Sequence, residues 1–211
     1  MVSLSECAFA DDLMICAERE KDLQTNLELW NAEIEIRNLK INVAKSKVMV
    51  IGKNVKEIIK INNNELEQVN IYKYLGIMIQ REGSMEAKLN ERINKALKIY
   101  HTMSKAFLGN KKIRRKSNVI VYKTIFRPTL IYGSEGWVLS NRLKSKIHAA
   151  GMKFLRKVKG ITRRDKIRND IVRSELGVEP ILHRVEVQQL RWFGDLNRSE
   201  ADKKTKSSGL Q

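Results

Sequence analysis

The chain has 211 residues, a length that fits one large domain or two small ones. Hydrophobic residues make up 42% of it and charged residues 31%, which argues against a wholly disordered protein. The two cysteines, Cys7 and Cys16, exclude a disulfide framework and indicate a reduced, intracellular setting, either nucleus or cytoplasm. No apolar run approaches the roughly 20 residues of a membrane-spanning helix, and no secretory signal is evident. We therefore expect no membrane partner.

The charge is divided unequally along the chain. The 41 basic and 24 acidic residues give a net charge of +17. Residues 1–100 hold 15 basic and 15 acidic side chains, whereas residues 101–211 hold 26 and 9. A basic half attracts polyanions by releasing their counterions. A basic surface kept for solubility, a ribosome-like role and a membrane-surface role remain alternatives, but the asymmetry favours nucleic acid.

The first part of the chain is predicted to contain short strands and one helix. One helical face is indicated by the spacing of Leu23, Leu27, Trp30 and Ile34. Strands are expected at 3–9, 13–17, 47–51, 58–61, 65–69 and 72–79. The run Asn62-Asn63-Asn64 predicts a hairpin turn between the fourth and fifth of them.

After residue 83 the pattern changes to helices. Ser84 can cap the first of them, which carries the stripe Leu89, Ile93, Ala96, Tyr100, Met103 and Phe107. Further helices are expected at 112–126, ending before Pro128, and at 141–158. A short helix capped by Asp165 should follow, and a last helix should begin at Pro180. Val185, Trp192 and Leu196 are expected on the buried side of this last helix. The patterns predict an α+β protein divided into residues 1–82, residues 83–200 and a disordered tail, residues 201–211.

One pair of residues offers chemistry. The three histidines match no metal-binding spacing, and no P-loop, zinc motif or nucleophile elbow is present. Asp11 and Asp12 fall between the first two predicted strands, where a tight hairpin would bring their carboxylates together. Mg²⁺ prefers such oxygen ligands, and paired carboxylates hold the ions of two-metal phosphoryl transfer. Ordinary turn chemistry is the alternative.

The Asp pair belongs to an ordered series of motifs. The series runs Phe9-Ala10-Asp11-Asp12, Leu39 to Lys47, Tyr72 to Gly76, Tyr132 to Trp137, Ile161 to Asn169 and Leu190 to Gly194. In this order it resembles the C-terminal half of the reverse transcriptase of non-LTR (LINE-type) retrotransposons, over about residues 7–198. Two departures are Gly136, where the family has Thr, and Asp195, where it has His.

The resemblance implies a partial polymerase palm in residues 1–82, with a catalytic hairpin and primer-grip strands. An all-helical basic thumb and extension would follow in residues 83–200. The implied activity is RNA-directed DNA synthesis with Mg²⁺, an RNA template and a DNA primer. The family also needs fingers and a third carboxylate, an Asp on an earlier palm strand, and the eight residues before Phe9 leave no upstream strand to supply it. We therefore expect a truncated remnant that binds Mg²⁺ weakly and is inactive alone, unless another polypeptide supplies the missing fingers and palm.

Three residues carry the catalytic roles that the resemblance implies. Asp11 would be the principal metal ligand, and Asp12 a weaker ligand or a stabiliser of the site. Lys45 would protonate or neutralise the leaving pyrophosphate; the alternative is a solvated lysine.

Five residues carry the implied primer contacts. Phe9 and Ala10 would shape the turn beside the primer end. Tyr74, Leu75 and Gly76 would hold the primer backbone, with the glycine allowing close approach; the alternative is an ordinary strand.

Two basic clusters in the second half are candidates for phosphate contact, which positions a nucleic acid without reading its sequence. They are Lys111, Lys112, Arg114, Arg115 and Lys116, and then Arg163, Arg164, Lys166 and Arg168. The alternative functions are a non-catalytic nucleic-acid-binding helical module and an inert product of a decayed element.

Overall fold

The computed structural model describes residues 5–52, 58–81, 83–108, 110 and 112–208, with the backbone alone for residues 5–8 and 199–208. The chain divides into two compact units, residues 1–83 and residues 84–211. All strands of the described part lie in the first unit, and the second unit is helical there. This mixture of helices and small sheets agrees with the predicted α+β class.

The first unit pairs short strands around one long helix. Its elements are β1 (Ser5–Phe9), β2 (Asp12–Cys16), α1 (Glu20–Ile36), β3 (Lys47–Val48), β4 (Lys60–Ile61), β5 (Asn64–Glu65), β6 (Glu67–Gln68), β7 (Ile71–Tyr74) and β8 (Ile77–Gln80). β1–β2, β4–β5 and β7–β8 are antiparallel pairs, and β3–β6 is parallel. Side chains buried in this unit include Val48, Ile59 and Ile61.

A side-chain amide attaches α1 to the strand β4. The Gln24 Nε2 donates to the Lys60 carbonyl oxygen at 3.0 Å, and the Lys60 N–H donates to the Gln24 Oε1 at 2.9 Å. The glutamine thereby satisfies one residue of a strand edge as a neighbouring strand would. The apolar face of α1 is half-buried, as the helical spacing of Leu23 and Leu27 predicts.

The strands are shorter than predicted. The predicted strand 47–51 pairs only at Lys47–Val48. Residues 58–69 form the hairpin β4–β5, which turns at Asn62 and Asn63 with φ of +47° and +65°. The next strand, β6, pairs with β3 and not with this hairpin. Asparagine tolerates this left-handed backbone, as the hairpin prediction requires. The prediction of one strand over 72–79 is wrong, because two strands, β7 and β8, turn back on each other there.

The second unit is built from helices. They are α2 (Met85–Ala106), α3 (Arg115–Val121), a π-helical turn (Tyr122–Phe126), α4 (Arg127–Leu130), a 3₁₀ turn (Ser134–Gly136), α5 (Asn141–Lys159), α6 (Asn169–Leu176) and α7 (Ile181–Ser208). The Ser84 hydroxyl accepts from the Ala87 N–H and caps α2, as predicted.

Three aromatic rings form the centre of the core of this unit. Phe154 on α5 lies 4.7 Å from Phe126 and 5.5 Å from Tyr122 between ring centroids, and none of the three is more than 1% exposed. Burial raises the pKa of Tyr122 to about 12. Leu89 of α2 and Ile147 of α5 belong to the same cluster.

The helix predicted to end before Pro128 continues through it to Leu130. The π-helical turn explains the difference. The Arg127 N–H donates to the Tyr122 carbonyl oxygen, five residues back. This wider turn shifts the hydrogen-bond register by one residue immediately before the proline. The ring of Pro128 then avoids the carbonyl group that it would meet in a regular α-helix.

Asp165 is not the cap of the next helix. α6 begins at Asn169, and the Asp165 carboxylate instead accepts from the Thr162 N–H and hydroxyl, at 2.6 and 2.9 Å. An aspartate that can cap a helix can equally close a short turn with the same donors.

The last helix differs from the prediction at its C-terminal end. Val185 is buried, as expected, but Trp192 and Leu196 are 47% and 39% exposed. The backbone remains helical to Ser208, beyond Ala201, where the sequence predicts a disordered tail. Residues 201–208 contain no glycine or proline, and alanine and lysine favour helices. In the part of the chain that the structure describes, no helix combines the length and the apolar character that crossing a bilayer requires.

Candidate catalytic hairpin and basic surfaces

The Asp pair lies at the tip of the β1–β2 hairpin. Phe9 pairs with Asp12, which leaves Ala10 and Asp11 as a two-residue loop. Ala10 has φ of +54°, at the loop position where such hairpins favour glycine. Phe9 is 64% exposed, and Ala10, Asp11 and Asp12 are exposed as well. The structure therefore places both aspartates at the solvent-facing tip of one hairpin.

The strain at Ala10 gives a testable result. We expect Ala10→Gly to stabilise the hairpin by about 0.5–1 kcal/mol, because glycine adopts a positive φ without the clash of a Cβ. Amides of residues 5–16 should then exchange with solvent several-fold more slowly, as read by hydrogen-exchange mass spectrometry. The control Ala8→Gly, in the ladder of β1, should accelerate exchange, because glycine weakens a strand interior. Equal effects of the two variants would contradict the strained turn.

The donors at the tip suit Mg²⁺ but do not complete a site. Neither Asp side chain makes a hydrogen bond or ion pair with another described residue. Carboxylate oxygens are the ligands that Mg²⁺ prefers. Among the described residues, however, no group of three or more acidic, histidine or cysteine side chains is placed to hold a metal. Two exposed carboxylates would leave most of the coordination shell to water.

Lys45 lies in a separate turn of the first unit. Its N–H donates to the Asn42 carbonyl oxygen and side-chain Oδ1, and its side chain is exposed. No hydrogen bond or ion pair between described residues joins Lys45 to Asp11 or Asp12.

The residues predicted to contact the primer backbone form a turn. Leu75 and Gly76 have φ of +45° and +78°, and they connect Tyr74 of β7 to Ile77 of β8. All three predicted residues are half-buried. Gly76 therefore serves the tight turn, which corrects the prediction of a glycine inside a strand.

A cavity of about 540 Å³ in the first unit was not predicted from the sequence. It lies between α1 and the β4–β5 hairpin and includes Glu28, Asn31, Glu35 and Asn62 in its lining. Asn31 and Asn62 donate to the same Glu35 carboxylate oxygen. None of the predicted site residues lines this cavity, and its acidic side chains would oppose a polyanion.

The first basic cluster precedes α3 and extends into it. Lys111 lies outside the described residues. The other four basic side chains of this cluster are exposed, and none of them makes an ion pair with a described residue. They are Lys112, Arg114, Arg115 and Lys116.

The second basic cluster lies on the loop between α5 and α6, residues 160–168, which we call the basic loop. All four predicted cations are exposed. Arg168 forms an ion pair with Asp170 at 3.1 Å. Arg163, Arg164 and Lys166 make no ion pair with a described residue.

Two tryptophans of the second unit lie in different environments. Trp137 is only 8% exposed, and the Gln189 side chain donates to its carbonyl oxygen at 2.8 Å. Trp192 is expected in the core, but with Phe193 and Leu190 it lines a shallow surface cavity of about 500 Å³. Helical spacing alone does not reveal where the packed surface under a long helix ends.

Comparisons with known proteins find similarity both in the first unit and over most of the chain. Residues 3–79 match the family model described as reverse transcriptase (RNA-dependent DNA polymerase). A transposon-derived protein of Caenorhabditis elegans is 24% identical over 209 residues, which covers 93% of this chain and 72% of that protein. No solved structure matches the chain. Residues 3–79, from β1 through Ile79 of β8, are therefore a reverse-transcriptase-like segment within a chain similar to a transposon-derived protein.

Proposed function

We propose that the chain is the remnant of an RNA-directed DNA polymerase of a non-LTR (LINE-type) retrotransposon. It would retain the C-terminal part of the palm, followed by a helical thumb and extension. The observation that carries the proposal is the exposed Asp11–Asp12 pair at the tip of the β1–β2 hairpin. That hairpin lies inside the segment that matches the reverse transcriptase family.

In the intact parent, Asp11 and Asp12 would hold Mg²⁺, and the bound ion would supply Lewis-acid chemistry for the primer hydroxyl and the leaving pyrophosphate. Phe9 and Ala10 would shape the turn at the primer end, and the Tyr74–Gly76 turn would contact the primer backbone. Lys45 would neutralise the leaving group. Among the described residues no third metal-binding side chain joins these two carboxylates, so the preorganised charge on which this catalysis depends is lacking there. We therefore expect the isolated chain to be inactive.

The test measures metal binding and synthesis on the same protein. Mn²⁺, a paramagnetic substitute for Mg²⁺, should selectively broaden the amide signals of residues near 9–13 at millimolar concentration. Asp11→Ala and Asp12→Ala should abolish the broadening. Glu18→Ala, which removes an exposed carboxylate outside the hairpin, should preserve it. An RNA template with an annealed DNA primer should not be extended in Mg²⁺.

Each readout can contradict its own part of the proposal. If Mn²⁺ broadens no signals of the hairpin, or if Asp11→Ala leaves the broadening intact, the metal role of this pair is wrong. Templated extension that disappears in Asp11→Ala would support the polymerase origin and disprove the expected inactivity.

We also propose a second function, a non-catalytic nucleic-acid-binding module in the second unit. Its supporting observation is the distribution of charge between the two units. Residues 1–83 hold 11 basic and 13 acidic side chains, whereas residues 84–211 hold 30 and 11. Such binding needs no metal, so it would persist in Asp11→Ala. A labelled RNA–DNA hybrid that does not bind the chain even at low salt would exclude this function.

A further inference from the structure

The basic loop is held by an arginine at the end of α5. The Arg156 guanidinium donates to the Thr162 carbonyl oxygen at 3.1 Å, to the Ile167 carbonyl oxygen at 2.7 Å and to the Asn169 Oδ1 at 2.8 Å. Its own carbonyl oxygen accepts from the Ile161 N–H. One half-buried side chain therefore bridges both ends of the loop.

Apolar residues anchor the same two ends. Ile161 and Ile167 are half-buried and pack against the core of the second unit. The stretch between them, residues 162–166, is consequently fixed at both sides and projects its own side chains into solvent.

A carboxylate closes the projecting stretch. The Asp165 Oδ2 accepts from both the N–H and the hydroxyl of Thr162, and the Thr162 hydroxyl oxygen accepts from the Arg164 N–H at 3.2 Å. The two hydrogen bonds from Thr162, together with the positive charge of Arg156, hold the pKa of Asp165 below its usual range. The Lys166 N–H completes the turn by donating to the Arg163 carbonyl oxygen.

Asp165 lies in the sequence between Arg164 and Lys166, and its negative charge weakens the attraction of these cations for a polyanion. A carboxylate that orders the loop lowers the conformational entropy that Arg163, Arg164 and Lys166 lose on binding. Two arginines and a lysine on a rigid turn can contact adjacent phosphate groups.

We propose that Arg156, Thr162 and Asp165 are positioning residues of a preformed phosphate-binding loop. Arg163, Arg164 and Lys166 of this loop contact the sugar–phosphate backbone of a nucleic acid. Arg168 is not counted among these contacts, because it lies outside residues 162–166 and its guanidinium pairs with Asp170. The inference rests on the proposed nucleic-acid binding and names the surface that performs it.

The decisive experiment compares two variants that each remove one negative charge. Binding of the full chain to a labelled RNA–DNA hybrid is followed by fluorescence anisotropy. Asp165→Ala should weaken binding about three- to tenfold because the loop loses its order. Asp170→Ala should tighten binding about twofold, since it removes a negative charge that lies outside the turn. Thr162→Val, which changes no charge, should also weaken binding.

A model of simple charge attraction makes the opposite prediction for Asp165→Ala. Tighter binding by both aspartate variants, together with an unchanged Thr162→Val, would overturn the preformed loop. Circular dichroism of each variant establishes that the helices are intact.

A second comparison locates the contacts. Arg163→Ala/Arg164→Ala should lower the salt dependence of log affinity by about 2, the value expected for two lost phosphate contacts. The matched control Arg142→Ala/Arg198→Ala removes two exposed arginines that pair with Glu86 and Asp195. It should change the salt dependence much less.

The outcomes also separate this inference from the proposed function. If the unmodified chain fails to bind at low salt, nucleic-acid binding itself is wrong. If the chain binds and the Arg163/Arg164 variant binds equally well, the function stands and the loop is not its binding surface.

Discussion

Replacing Phe154 with alanine is expected to lower the free energy of unfolding of the second unit by about 3–5 kcal/mol. The Phe154 ring is fully buried and contacts both Phe126 and Tyr122 in the centre of the helical core. Its removal loses apolar burial and leaves a cavity beside rings that are themselves fixed by neighbouring helices. The loss in unfolding free energy is smaller when the neighbouring side chains move into the cavity, which is why a range is expected.

The measurement is urea unfolding followed by far-ultraviolet circular dichroism, which reports mainly on the second unit because most helices lie there. The matched control is Phe193→Ala on α7, where the side chain is 60% exposed. It should change the unfolding free energy by less than about 0.5 kcal/mol. Equal losses in the two variants would mean that the aromatic cluster is not the centre of the core.

Buried helical stripes can be predicted from the sequence because the spacing of apolar residues reports burial directly. Leu89 and Ala96 recur at helical spacing in the predicted stripe of α2, and each is fully buried. The position of the Asp pair between two apolar stretches likewise predicts a hairpin tip, where the structure places it.

The remaining differences arise where several local structures satisfy the same pattern. The apolar run on both sides of Leu75–Gly76 is compatible with one long strand or with two strands, and only pairing distinguishes them. An aspartate before a helix can cap the helix or close a turn, and Asp165 closes a turn with Thr162. The spacing that includes Trp192 continues beyond the surface on which α7 packs, so a residue predicted to be buried is exposed.

The positive charge of the basic loop can be predicted from the sequence, whereas the hydrogen bonds that fix its backbone cannot. The sequence identifies Arg163 and Arg164 as cations in a cluster. It does not reveal that Arg156 donates to carbonyl groups at both ends of their loop. That contact depends on the exact place where α5 ends and on the path of the chain after Gly160.

The affinity of the chain for an RNA–DNA hybrid is expected to fall steeply with salt. Seven cations in the two clusters are exposed and make no ion pair with a described residue: Lys112, Arg114, Arg115, Lys116, Arg163, Arg164 and Lys166. If about six of them bind phosphate groups, counterion release predicts a loss of at least a thousandfold in affinity between about 50 and 200 mM salt. A hybrid with an uncharged backbone should not bind, because it has no counterions to release.

Two double variants that each remove two positive charges show which part of the chain is responsible for the salt dependence. Lys112→Gln/Lys116→Gln should reduce the salt dependence of log affinity by about 2. Lys21→Gln/Lys73→Gln removes two exposed lysines of the first unit, where acidic residues outnumber basic ones. It should leave the salt dependence unchanged. If the two double variants lose salt dependence equally, binding responds to net charge alone, and the second unit carries no defined nucleic-acid surface.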